Sequence, residues 1–99
     1  MNIIKRADMI VNKRSEEHLR QYGDFIKSME RTAAMASLMR DKPIDATDAY
    51  CVMIALKFSR EACAHKEDNL LDAIAYIGSL NNYANERRNH AKRKRSRAQ

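Results

Sequence analysis

The chain contains very little glycine and proline, two and one respectively in 99 residues, and it has no tryptophan. Alanine, methionine, leucine, glutamate, lysine and arginine are plentiful instead, which is typical of a helical protein. We therefore expect an all-α fold without a sheet. A chain of this length forms one domain, whose small core buries only about 60% of the unfolded surface. Self-association is expected for that reason.

Several kinds of functional site are missing from the sequence. It contains no glycine-rich phosphate loop, no Ser/His/Asp or Cys/His arrangement and no zinc-ligand spacing. Cys51 and Cys63 would lie about 18 Å apart on one helix, too far for a disulfide. No run approaches the roughly 20 apolar residues of a membrane span, and no signal peptide is visible. These absences favour a cytoplasmic protein with reduced, buried cysteines and no membrane partner.

The positive charge is concentrated at the C-terminal end. The formal net charge is +6, but the first 86 residues hold 12 basic and 13 acidic side chains. The last thirteen residues carry seven basic side chains and no acid: Arg87, Arg88, Lys92, Arg93, Lys94, Arg95 and Arg97. We expect a helical domain over 1–86, followed by a basic tail over 87–99 that is frayed or disordered. The tail would bind nucleic-acid phosphates without sequence preference; a solubilising end is the alternative.

The spacing of apolar residues predicts four helices, over 2–13, 25–40, 46–63 and 69–86, with a turn-like segment over 15–23. Asp24 and Asp45 are predicted N-caps, and Pro43 follows the end of the second helix. The second helix has a second apolar stripe of Ala34, Met35 and Leu38. This stripe predicts a contact with another subunit; simple exposure of these side chains is the alternative.

The third and fourth helices are expected to form an antiparallel pair at the centre of the domain. The third helix is apolar over more than half of its circumference, with Asp48 in the middle of that arc and a polar strip of Tyr50, Lys57 and Glu61. On the fourth helix the predicted buried side consists of Leu70, Ala73, Ile74, Ile77, Leu80 and Ala84. Ala75 and Ser79 lie on its opposite side.

Two aspartate pairs form the strongest candidate site. Asp45 and Asp48 are three residues apart, and Asp68 and Asp72 are four apart, so each pair lies on one helical face. If the two helices are neighbours, four carboxylates could converge on magnesium. The alternative is capping, because aspartate is favoured in the first turn of a helix. Lys57 and Arg60 are candidate phosphate ligands, although surface solvation or an ion pair is an alternative for Lys57.

A set of short motifs resembles a family of small helical proteins of unknown function from tailed phages and prophages. The motifs span about residues 3–83 and are Tyr22-Gly23-Asp24, Met29-Glu30-Arg31-x-Ala33, Pro43-Ile44-x-x-x-Asp48, Lys57-x-x-Arg60 and Asp68-x-x-x-Asp72-x-x-x-Tyr76. That family is distantly similar to MazG-type all-α nucleotide pyrophosphohydrolases, in which acidic pairs on adjacent helices bind magnesium and a triphosphate. The resemblance implies a four-helix MazG-like bundle with a short first helix, and places the four aspartates at the matching positions.

Two functions follow from these observations. The first is a phage-type accessory protein that binds a host protein or nucleic acid in the bacterial cytoplasm, for example in counter-defence or host takeover. The alternative is a magnesium-dependent nucleoside triphosphate pyrophosphohydrolase or nucleotide-binding protein. The MazG pattern is usually glutamate-rich, whereas this chain has shorter aspartates and a second pair spaced by four. That departure favours the binding protein.

Overall fold

The structure, a computed structural model, describes residues 2–13 and 24–98. Of Ala98 it describes the backbone alone. These residues form four helices and no strand: α1 (Ile3–Asn12), α2 (Phe25–Arg40), α3 (Ala46–Cys63) and α4 (Glu67–Ala98). The predicted all-α class with a short first helix is confirmed. The predicted turn over 15–23, together with the start of the first family motif, falls outside the described residues.

Side-chain caps explain where the helices begin. Asn2 accepts a hydrogen bond from the Lys5 N–H at 2.9 Å, and Asp24 accepts one from the Ile26 N–H at 3.1 Å. Each bond satisfies an N–H group that has no partner within its helix. At the end of α2, Asp41 adopts a left-handed conformation with φ of 54°, and Pro43 follows two residues later. The predicted bounds of α2 and α3 are confirmed.

The core consists of two clusters that meet on α4. In the larger cluster, Met29 and Ala33 of α2 pack with Ala46, Ala49 and Tyr50 of α3 and Tyr83 of α4. In the smaller cluster, Ala7 of α1 packs with Leu71 and Ala75 of α4. Helix α1 is also joined to α4 by polar contacts near both ends, Arg6 to Glu67 and Asn82 to Asn12, each 2.9 Å long.

Helices α3 and α4 run antiparallel, as predicted. Their predicted buried faces are right in part, since Ala73 is 2% exposed and Leu70, Ile74 and Leu80 are half-buried, and wrong at other positions. On α3, Tyr50 is fully buried and Lys57 and Glu61 are half-buried, whereas Val52 is 65% exposed. On α4, Ala75 and Ser79 are buried, whereas Ile77 is 48% exposed. The polar strip of α3 faces inward because each of its side chains finds a polar partner close by, as described below.

The predicted end of the last helix at residue 86 is also wrong. Helix α4 has 32 residues and continues through the basic residues to Ala98. No helix in the described part of the chain is long and apolar enough to cross a membrane. In α4, the N-terminal part thus contributes side chains to the core, and the C-terminal part holds the basic residues.

Candidate functional site

The first aspartate pair forms a reciprocal cap at the start of α3. The Asp48 N–H donates to the Asp45 carboxylate at 2.8 Å, and the Asp45 N–H donates to the Asp48 carboxylate at 3.1 Å. This arrangement is a capping box. One oxygen of each carboxylate is therefore engaged by the backbone of the same turn, which is the capping alternative considered for this pair.

The second aspartate pair lies at the opposite end of α3. Asp72 forms an ion pair with Lys57 at 2.9 Å, and Lys57 follows Asp48 by nine residues, or about 13 Å along the helix. Antiparallel packing explains this separation, because the start of α4 lies beside the end of α3. No group of three His, Cys, Asp or Glu side chains in the described residues could hold a metal ion. The expected convergence of Asp45, Asp48, Asp68 and Asp72 is therefore not found.

One of the two candidate phosphate ligands, Lys57, is engaged in an ion pair. Lys57 is only 15% exposed and its ammonium group is bound to Asp72. The ion pair, one of the two alternatives to phosphate binding, is thus present. Arg60 is exposed, three residues further along α3.

The turn between α3 and α4 is held by Glu61, a residue that the sequence did not single out as a site. Its carboxylate contacts the imidazole of His65 and accepts a hydrogen bond from the Lys66 N–H at 3.0 Å. The Asn69 amide reaches the same carboxylate at 3.4 Å. The hydrogen bond with His65, followed by the one from Lys66, lowers the pKa of Glu61. His65 therefore acts as a structural residue of this turn.

The basic residues of α4 are presented on an exposed helix. Tyr83 is the last buried residue of α4, and residues 84–97 are all exposed. Seven of these are lysine or arginine, and Glu86 is the one acid among them. We call residues 87–97 the basic segment. It spans about 15 Å at 1.5 Å per residue, and at 100° per residue its cations point to all sides of the helix axis.

The basic segment is connected to the core through Arg87. Its guanidinium donates a hydrogen bond to the Tyr83 hydroxyl at 3.2 Å and lies 5.6 Å from the centre of the same ring. Tyr83 in turn packs against Tyr50, with ring centres 6.0 Å apart. A hollow of about 680 Å³ lies beside this contact, between Ile26 and Glu30 of α2 and the first turns of the basic segment. The pair of Tyr83 and Arg87 at four-residue spacing is the sequence signal for this connection.

Two apolar surfaces remain uncovered in the described residues. On α2, Met35, Leu38 and Met39 are 57%, 85% and 85% exposed. Met35 and Leu38 belong to the second stripe predicted from the sequence. The other surface is the outward side of α3, where part of the wide apolar arc is exposed. It includes Val52, Phe58 and both cysteines, which were predicted to be buried.

Comparison with known proteins places the chain in one family. A family model described as a domain of unknown function (DUF6378) matches residues 2–84, so the chain belongs to that family. No curated protein and no solved structure matches it significantly. The matched range includes all of the core described above and ends before the basic segment.

Proposed function

We propose that this member of the family acts by binding nucleic acid through the basic segment of α4. The observation that carries the proposal is that seven cations stand on one exposed helix that continues directly from the core. Nucleic-acid phosphates are bound largely by lysine and arginine, without sequence preference when only the backbone is contacted. A host protein is the other partner class that the sequence leaves open, and the concentration of charge favours nucleic acid.

The shape of the basic segment supports a duplex as the ligand. A helix with its side chains is about 10–12 Å across, and the major groove of B-DNA is about 12 Å wide. Cations on all sides of the helix can reach the phosphates of both groove walls. Lys92 and Arg95 lie on one flank and Arg93 and Arg97 on the other, as their positions at 100° per residue require.

Charge repulsion within the basic segment supports the same proposal. Arg88 and Lys92 are four residues apart, as are Arg93 and Arg97, and like charges at this spacing destabilise a helix. Phosphates between these cations would remove the repulsion. The favourable position of cations near a helix C-terminus offsets only part of it. Binding should therefore increase the helix content of the basic segment.

The remaining parts of the proposal rest on the motif resemblance. We infer a phage-type accessory protein with a MazG-like scaffold, acting in the cytoplasm of a bacterial host as a homo-oligomer. Binding is favoured over magnesium-dependent nucleotide hydrolysis because the two aspartate pairs lie at opposite ends of α3. A hydrolase would require carboxylates gathered around the metal and the triphosphate.

Fluorescence anisotropy with a labelled duplex tests this proposal. In one variant Lys92, Arg95 and Arg97 are changed to Gln, and in the matched control Lys27, Arg31 and Lys42 are changed to Gln. All six side chains are exposed, and both variants lose three charges. The first variant should lose about tenfold or more in affinity, while the control changes by about threefold or less. Equal losses in both variants would contradict the proposal.

A further inference from the structure

The hollow between α2 and the first turns of the basic segment is large enough for a small organic group. Its volume is about 680 Å³, and pockets for small ligands measure about 300–1,000 Å³. Ile26 of α2 and Ala91 of α4 contribute apolar surface to its wall. Binding of duplex phosphates by exposed cations does not use this space, so the hollow has room for a further group.

The wall of the hollow has charges of both signs. Glu30 of α2 and Glu86 of α4 are its carboxylates, and Lys94 lies eight residues beyond Glu86, or about 12 Å along the helix. These three side chains are exposed, and the ion pairs among the described residues involve none of them. A ligand that satisfies both signs carries hydrogen-bond donors as well as negative charge.

We propose that the hollow binds an unpaired nucleotide of the nucleic acid that the basic segment holds. This inference rests on the function proposed above and names a part of its ligand. A nucleotide combines the two kinds of group that the charges of the wall require, because its base carries N–H donors and its phosphate is an anion. The base lies beside Glu30 and Glu86, and the phosphate lies beside Lys94. A single-stranded end next to the duplex supplies such a nucleotide.

Arg87 provides the hollow with a surface on which a base can stack. Unpaired bases stack on aromatic rings and on arginine guanidinium planes. Tyr83 is only 9% exposed, so the guanidinium of Arg87 is more accessible to a base than the ring of Tyr83 is. The hydrogen bond of 3.2 Å to the Tyr83 hydroxyl already holds this guanidinium in place. A side chain that is ordered beforehand loses less conformational freedom when its ligand binds.

The two carboxylates of the hollow determine which bases fit. Ionised carboxylates only accept hydrogen bonds, so Glu30 and Glu86 require donors on the ligand. Cytosine, adenine and guanine each have an amino group that donates, whereas thymine has none. Glu30 and Glu86 also repel phosphates, which reserves their part of the hollow for a base. The hollow therefore favours an amino-bearing base such as cytosine over thymine.

Fluorescence anisotropy with two duplexes tests whether a base enters the hollow. One duplex ends in a short overhang of cytidine nucleotides and the other in an equally long overhang of abasic nucleotides, so both carry the same number of phosphates. The parent chain should bind the cytidine overhang about fivefold or more tightly than the abasic one. Ala91→Leu narrows the hollow and should abolish this preference. Ala84→Leu, the same change at an exposed position of α4 outside the hollow, should retain it.

A second pair of variants tests the choice of base. The parent chain should bind a cytidine overhang about threefold or more tightly than a thymidine overhang. Replacing Glu30 and Glu86 with Gln should remove this difference, because an amide both donates and accepts hydrogen bonds. Replacing Asp41 and Asp68 with Asn removes two exposed carboxylates outside the hollow and should leave the difference intact. The same preference in both variants would contradict the role of the carboxylates.

The outcomes separate this inference from the proposed function. Equal binding of the cytidine and abasic overhangs by the parent chain would overturn the inference and leave the proposed function standing. A preference that survives Ala91→Leu, or that Ala84→Leu also abolishes, would overturn the inference in the same way. A parent chain that binds neither duplex would overturn both.

Discussion

The hydroxyl groups of Tyr50 and Ser79 lie 2.6 Å apart between α3 and α4, where the two residues are 0% and 1% exposed. A buried hydroxyl that loses its hydrogen-bond partner costs about 1–3 kcal/mol. Tyr50→Phe and Ser79→Ala should therefore each lower the free energy of unfolding by about 1–2 kcal/mol. In urea titrations the double variant should cost less than the two single changes together. Additive costs would show that the hydroxyls do not interact.

Burial of Tyr50 also predicts a loss of stability at alkaline pH. Desolvation raises the pKa of its phenol above the ordinary value, and the hydrogen bond with Ser79 opposes this only in part. The unfolded chain then releases the phenolic proton first, near pH 10. The contribution of Tyr50 is constant below that pH and falls as the pH rises above it. Melting temperatures from pH 8 to 11 should decline less steeply for Tyr50→Phe than for the parent chain.

Glu61 predicts a loss of stability at acid pH. Its lowered pKa means that the unfolded chain binds a proton at a higher pH than the folded chain does. The contribution of Glu61 to the free energy of unfolding is complete above about pH 5. It is lost as the pH falls through the lowered pKa of the folded chain. Between pH 5 and pH 3 the melting temperature of Glu61→Gln should fall less steeply than that of the parent chain. Glu30→Gln, a change at an exposed carboxylate of α2, is the matched control and should retain the parent's decline.

The two aspartate pairs predict small effects of amide substitution, for two different reasons. Asp48→Asn should cost about 1 kcal/mol or less, because asparagine caps a helix nearly as well as aspartate. Asp72→Asn removes the partner of Lys57, which is 15% exposed, and should cost about 1 kcal/mol. Magnesium should leave both melting temperatures, and that of the parent, unchanged. A shared metal site would instead make the variants more stable than the parent without metal, and only the parent would respond to magnesium.

The sequence predicted the helices well where capping residues mark their ends. Asp24, Asp45 and Pro43 define the bounds of α2 and α3, and the structure confirms both helices. The sequence predicted the inward sides of α3 and α4 poorly, because Tyr50, Lys57 and Ser79 have polar side chains and were therefore not expected to be buried. In the structure the polar atoms of all three have partners nearby, so the rest of each side chain is buried like that of an apolar residue.

The basic segment shows a different limit of prediction. Residues 87–97 contain no large apolar side chain, so the spacing of apolar residues gives no sign of a helix there. Alanine, lysine and arginine nevertheless have high helix propensity, and a helix already formed over 67–86 can extend without a new nucleation step. The seven candidate residues were identified by their charge, while their presentation on one continuous helix was not predicted.

The most direct measurement of nucleic-acid binding is the salt dependence of the affinity for duplex DNA. If five to seven cations of the basic segment contact phosphates, the logarithm of the association constant should fall with the logarithm of the salt concentration with a slope of about −4.5 to −6.3. A chain lacking residues 88–99 should melt like the parent, because the side chains of residues 88–97 are exposed, and its slope should be close to zero. A parent chain with no salt-dependent affinity, or a shortened chain with the parent's slope, would contradict the proposed function.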